Sequence, residues 1–88
     1  MPTIASRPNA TSATGSLSVD EIAGIITDAV LYTMPSNLAE MRLCLHVVGR
    51  TLWNTGVIAD YFIYDVSAGV DVGFKLFDNP NYHVITIS

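Results

Sequence analysis

The sequence predicts an α+β fold: a flexible N-terminal arm, then an αα-hairpin packed on a three-stranded antiparallel β-meander. Three observations lead there. Apolar residues recur at helical spacing in two successive stretches between residues 18 and 54. After Gly56 the period changes to two. Turn-forming groups (Pro35-Ser36, Ser67-Ala68-Gly69 and Asp78-Asn79-Pro80-Asn81) separate these stretches by links short enough to make successive elements neighbours.

Residues 1–17, MPTIASRPNATSATGSL, hold two prolines and many Ser, Thr, Asn and Ala residues without an apolar period. They read as a flexible polar arm, which leaves 18–88 as a single α+β domain. The arm lacks the basic start and continuous apolar run of a secretory signal. Its Asn9-Ala10-Thr11 matches a glycosylation sequon, which carries no weight without evidence of secretion.

The first helix starts at Ser18-Val19-Asp20-Glu21. Ser18 caps it, and Glu21 reaches back in a capping box. Ile22, Ile25, Ile26, Ala29 and Thr33 form one face, widened by Val19 and Val30. The helix ends near Met34, because Pro35 disfavours helical geometry in the residue before it. Pro35-Ser36 is a short link, so the next helix lies antiparallel to the first.

That second helix, Asn37 to Trp53, is the stretch that decides the reading. Leu38, Met41, Leu45, Val48 and Leu52 make one narrow stripe. Asn37 caps the start with Glu40 three residues on, and Asn54-Thr55-Gly56 supplies the stop. The opposite side is also apolar, with Leu43 and Val47, Trp53 on the flank, and Arg42, His46 and Arg50 beside them. A strand competes for this segment, since Arg42 to Val47 alternates with period two. The helix is preferred because its stripe is longer and has both a start and a stop signal.

Three strands follow. Val57 to Val66 is rich in aromatic and β-branched residues. Ser67-Ala68-Gly69 is a three-residue hairpin loop with Gly placed for positive φ. Val70 to Leu76 alternates cleanly, with Val70, Val72, Phe74 and Leu76 facing one way. Tyr82 to Ile87 is the last strand. Tyr61 and Ile63 oppose Phe62, Tyr64 and Val66, and His83, Ile85 and Ile87 oppose Tyr82, Val84 and Thr86. Neither face is convincingly polar, and the last strand has no proline or charge to guard its edge.

Charge and chemistry narrow the function. The domain carries Arg42, Arg50 and Lys75 against eight acidic residues. Three basic residues do not build the electrostatic footprint that nucleic-acid binding requires, so no direct nucleic-acid partner is expected. No uncharged apolar run reaches the roughly 18–20 residues that span a bilayer. The lone cysteine fits a reducing compartment, hence an intracellular, cytoplasmic location. No cofactor is expected, because no phosphate-cradling glycine pattern is present. His46, His83, Asp71 and Asp78 have neither zinc-site nor calcium-loop spacing, so no metal is expected. Cys44 with His46 and His83 is the one set resembling a nucleophile and base. On a helix Cys44 and His46 point apart, so a thiol-dependent enzyme or ligand site there needs the strand reading.

What remains is association. A core of this size rarely supplies more than about 3–5 kcal/mol of net stability, and small scaffolds usually add disulfides, a metal or a partner chain. A single cysteine forms no internal disulfide, so self-association is the remaining device. The expected interface residues are Leu43, Val47, Arg50, Trp53, Tyr61, Tyr64 and Tyr82, large rings and an arginine being the usual carriers of binding energy. The leading reading is a non-catalytic homo-oligomeric assembly or interaction module. A minor structural protein of a virus or phage fits it, as does an adaptor. The alternative is an acidic inhibitor whose aromatic sheet face blocks another protein, with Asp65 and Asp71 in its contact.

Overall fold

The first helix, α1 (Val19–Thr33), is entered through the expected capping box. The Glu21 backbone N–H donates to Ser18 Oγ at 3.1 Å, and the Ser18 N–H donates to Glu21 Oε1 at 2.8 Å. Two of the four N–H groups that a helix start leaves without partners are thereby satisfied. Our structure, a computed structural model, describes residues 17–88. Apart from Leu17, the arm expected over 1–17 lies outside the described residues. Helix α1 ends at Thr33, and Met34 turns the chain with φ 50°, a left-handed conformation unusual for a residue with a side chain.

Helix α2 (Leu38–Asn54) settles the competition over residues 42–47 in favour of the helix. Asn37 caps it, accepting the Glu40 N–H at 2.9 Å. The second half of the expected capping box differs: the Glu40 carboxylate takes the N–H of Ser36, at 2.8 Å, rather than that of Asn37. The tight link holds Ser36 within reach, so one more backbone donor is satisfied outside the helix. At the other end Gly56 adopts φ 78°. The Val57 N–H donates to Leu52 O and the Gly56 N–H to Trp53 O, the paired bonds of a Schellman stop.

That stop corrects the expected start of the first strand. β1 runs Asp60–Val66, not from Val57. The N–H groups of Val57 and Ile58 are spent on Leu52 O, and that of Ala59 on Lys75 O. Ile58 is instead a fully buried core residue in the connection. The hairpin loop is also one residue shorter than expected. β2 spans Gly69–Lys75, Gly69 already pairs with Val66, and its φ of 146° makes the bend. A Cβ there would run into the Ile87 carbonyl. β3 is Tyr82–Ile87, as expected.

The sheet order is β1-β2-β3, with both pairs antiparallel. In register, Ile63 stands beside Val72 and Val72 beside Ile85, and Tyr61 beside Phe74 and Phe74 beside His83. These residues face the helices. Val70, Val72 and Phe74 of the central strand are fully buried with Ile22 and Ile26 of α1, Leu45 of α2 and Ile58. α2 lies over β1 and β2, and α1 reaches β3. The result is two layers: a helix pair on one face of a three-stranded sheet.

Candidate association surfaces

A two-layer fold has two outer sides, and both carry exposed apolar side chains here. On the helix side, Leu43, Val47 and Arg50 follow one another at i, i+4 and i+7, a single outward stripe of α2. Leu43 is 65% exposed and Val47 59%. Their stripe lies across the helix from Leu45 and Leu52, which are buried. Among the described residues the one ion pair is Arg42 with Asp65, at 3.1 Å. The Arg50 guanidinium therefore stands in that stripe with no carboxylate partner among the described residues.

On the sheet side, alternation turns Phe62, Tyr64 and Val66 of β1 away from the helices, together with Tyr82, Val84 and Thr86 of β3. Tyr64 is 67% exposed and Val84 51%. The central strand presents Asp71, Gly73 and Lys75 between them. Phe62 lays its ring over Gly73, where a Cβ would collide with it, and meets Tyr82 edge-on with ring centroids 5.2 Å apart. This is the usual way an aromatic neighbour shields a glycine in a strand.

Two carboxylates in this face are held differently. Asp60 accepts the Tyr82 hydroxyl at 2.6 Å and the Tyr61 backbone N–H at 2.8 Å. The Tyr82 hydrogen bond, then the Tyr61 N–H, hold the Asp60 carboxyl below its ordinary value; burial opposes them, and the nearby Lys75 charge adds a lesser lowering. The same bond raises the Tyr82 phenol. Lys75 completes the row, its Nζ lying 5.4 Å from the Tyr82 ring centroid. Asp71, at mid-strand between Tyr64 and Thr86, accepts one bond, from the Thr86 hydroxyl at 2.6 Å.

Tyr61 belongs to neither outer side. It sits between sheet and α2, its ring over Gly49, where a Cβ would stand 2.7 Å from it. Trp53 and His46 flank it edge-on, with centroids at 6.2 and 5.9 Å, and the His46 Nδ1 lies 3.4 Å from its hydroxyl. The seven expected interface residues thus fall into three places. Leu43, Val47 and Arg50 share the helix stripe, and Tyr64 and Tyr82 the open sheet face. Trp53 and Tyr61 meet each other at the seam between the layers. Phe62 and Val84 were not among those seven; the strand alternation that placed Tyr64 and Tyr82 outward places these two beside them.

The other candidate groupings do not assemble. Cys44 turns to α1, its Sγ 3.3 Å from Thr33 Oγ1, whereas His46 turns to β1. Asp65 points to the helix layer and pairs with Arg42, so it does not share a face with Asp71. His83 faces the core beside Phe74, its Nε2 buried with no partner among the described residues. No group of three or more His, Cys, Asp or Glu among the described residues is arranged to hold a metal. No described helix is long and apolar enough to cross a membrane.

Protein-family models, curated proteins and solved structures were compared with the chain, and none of them matches it.

Proposed function

We propose that this protein is a non-catalytic module that works by assembling with copies of itself. The observation that carries the reading is the apolar character of both outer sides of a two-layer fold. Leu43 and Val47 stand out from the helices, and Tyr64, Val84 and Phe62 cover the far side of the sheet. Contiguous apolar patches of this kind mark association surfaces, unlike isolated exposed side chains. The core beneath is small, eight buried apolar residues among those described, so burial between chains adds stability to it. The lone cysteine, free in the structure, supports a reducing setting for that assembly. The separation of Asp65 from Asp71 weighs against the inhibitor reading, which needs them in one contact.

Light scattering on a sizing column, across a dilution series of the full chain, tests the proposal. A dimer or larger species is expected at micromolar concentration, and Leu43→Glu with Val47→Glu should return it to monomer with unchanged circular dichroism. A wild-type monomer at every concentration overturns it.

A further inference from the structure

The two outer sides differ in kind as well as position. One is a helix stripe with an arginine at its end, and the other is a sheet face with an aspartate at its centre. Resting on the self-assembly reading above, we infer that the contact is head-to-tail: the Leu43–Val47–Arg50 stripe of one copy docks on the outer sheet face of the next.

Charge complementarity picks this pairing. Arg50 has no ion-pair partner among the described residues of its own chain. Asp71 is the outer-face carboxylate with more bonding capacity left, since one hydroxyl, from Thr86, is its side-chain partner, whereas Asp60 is engaged by both Tyr82 and the Tyr61 N–H. Pairing sheet face with sheet face would instead bring two acidic surfaces together, Asp60 and Asp71 against Lys75 on each.

Spacing agrees. The stripe from Leu43 to Arg50 covers about 10 Å of helix axis. On the sheet, the row Phe62–Gly73–Val84 and the row Tyr64–Asp71–Thr86 are two residues apart along β2, about 7 Å. Leu43 and Val47 set on the first row leave Arg50 to reach Asp71 in the second. The packing repeats inside out what α2 already does on the inner face, where Leu45 and Leu52 meet the buried side of the same sheet. One kind of contact then covers both open sides of every copy but the two end ones, because a heterologous interface leaves a free helix stripe at one end and a free sheet face at the other.

Two blocked variants test this. Leu43→Glu with Val47→Glu removes the helix side, and Tyr64→Glu with Val84→Glu removes the sheet side. Each alone should be monomeric by light scattering. Mixed one to one they should form a dimer and nothing larger, because each keeps the half that the other has lost. Should the sheet-side pair fail to fold, Asp71→Arg takes its place. In a second arm, Arg50→Asp and Asp71→Arg should each weaken assembly about tenfold or more, and the two combined in one chain should restore it. A mixture that stays monomeric, or a charge swap that restores nothing, while the wild type assembles, overturns the head-to-tail contact and leaves self-assembly standing. A wild type that never assembles removes both.

Discussion

The two faces of the sheet both carry apolar side chains and have opposite fates. On the inner face Val70, Val72 and Phe74 line the central strand, and all three are fully buried. On the outer face the same strand offers Asp71, Gly73 and Lys75, and the apolar mass sits on its neighbours as Phe62, Tyr64, Tyr82 and Val84. A central strand is the part of a three-stranded sheet that any covering element must touch. Apolar residues there commit a face to a core. A glycine and two charges there, with aromatic rings to either side, make a face that persists in water and still has apolar area to bury against a partner.

The sharpest way to break this contrast is to truncate one residue on each face. Phe74→Ala should cost about 3–5 kcal/mol, through lost transfer energy and the cavity left behind. A domain with roughly that much stability would be largely unfolded by it at 25 °C. Tyr64→Ala, at an exposed site, should change the folding free energy by less than about 0.5 kcal/mol when measured on monomeric protein. Urea unfolding followed by circular dichroism checks both. Equal costs would mean that the outer face is already a second core.

A smaller effect sharpens the same contrast at two glycines. Tyr61 and Phe62 are consecutive, and each lays its ring on a glycine, Gly49 inside and Gly73 outside. The Tyr61 ring lies between sheet and α2, flanked edge-on by Trp53 and His46. Gly49→Ala should therefore carry an overpacking cost of about 1–3 kcal/mol, offset by about 1 kcal/mol of helix propensity. Phe62 borders solvent, so in Gly73→Ala its ring can swing outward, and the net cost should fall below about 1 kcal/mol. Thermal melts of the two variants side by side should rank Gly49→Ala as the less stable. The reverse ranking would show that Phe62 is fixed and the outer face more rigid than its exposure implies.

Much of this architecture is legible in the chain because its signals are local. The Ser18–Glu21 box, the cap at Asn37 and the alternation of Val70, Val72 and Phe74 each lie within a few residues, and each appears in the structure as read. Val57-Ile58-Ala59 is misleading for a physical reason. A β-branched apolar pair looks like a strand, yet its backbone N–H groups close the preceding helix and Ile58 fills the core under it. The notch at Gly49 is illegible because its meaning depends on Tyr61, twelve positions later and in another layer. The outer face was half legible. Alternation places Tyr64 and Tyr82 on it, but that Asp60 is taken up by Tyr82 while Asp71 keeps capacity depends on strand register, which a single sequence leaves open.

The smallest effect belongs to that last distinction, and its sign can be worked out. The Asp60 carboxyl is held below its ordinary 3.8 chiefly by the Tyr82 hydroxyl, so the folded state favours the ionised form. Its contribution to stability is complete above pH 3.8 and is lost as pH falls through the lower folded value. The Tyr82 phenol is raised above its ordinary 10.0 by the same bond, so the folded state favours the neutral form. That contribution is complete below pH 10.0 and is lost as pH rises through the higher folded value. Tyr82→Phe should leave the ring packed on Phe62 while erasing the alkaline loss. It should also shrink the acid one without removing it, because the Tyr61 N–H still binds the carboxylate. The wild-type minus variant difference in folding free energy, taken from urea titrations between pH 3 and 11, should form a plateau that falls at both ends. A difference that does not vary with pH would mean the two side chains are apart in solution. Asp60 would then compete with Asp71 for the arginine of a neighbouring copy, and the restoring charge swap at positions 50 and 71 would lose its selectivity.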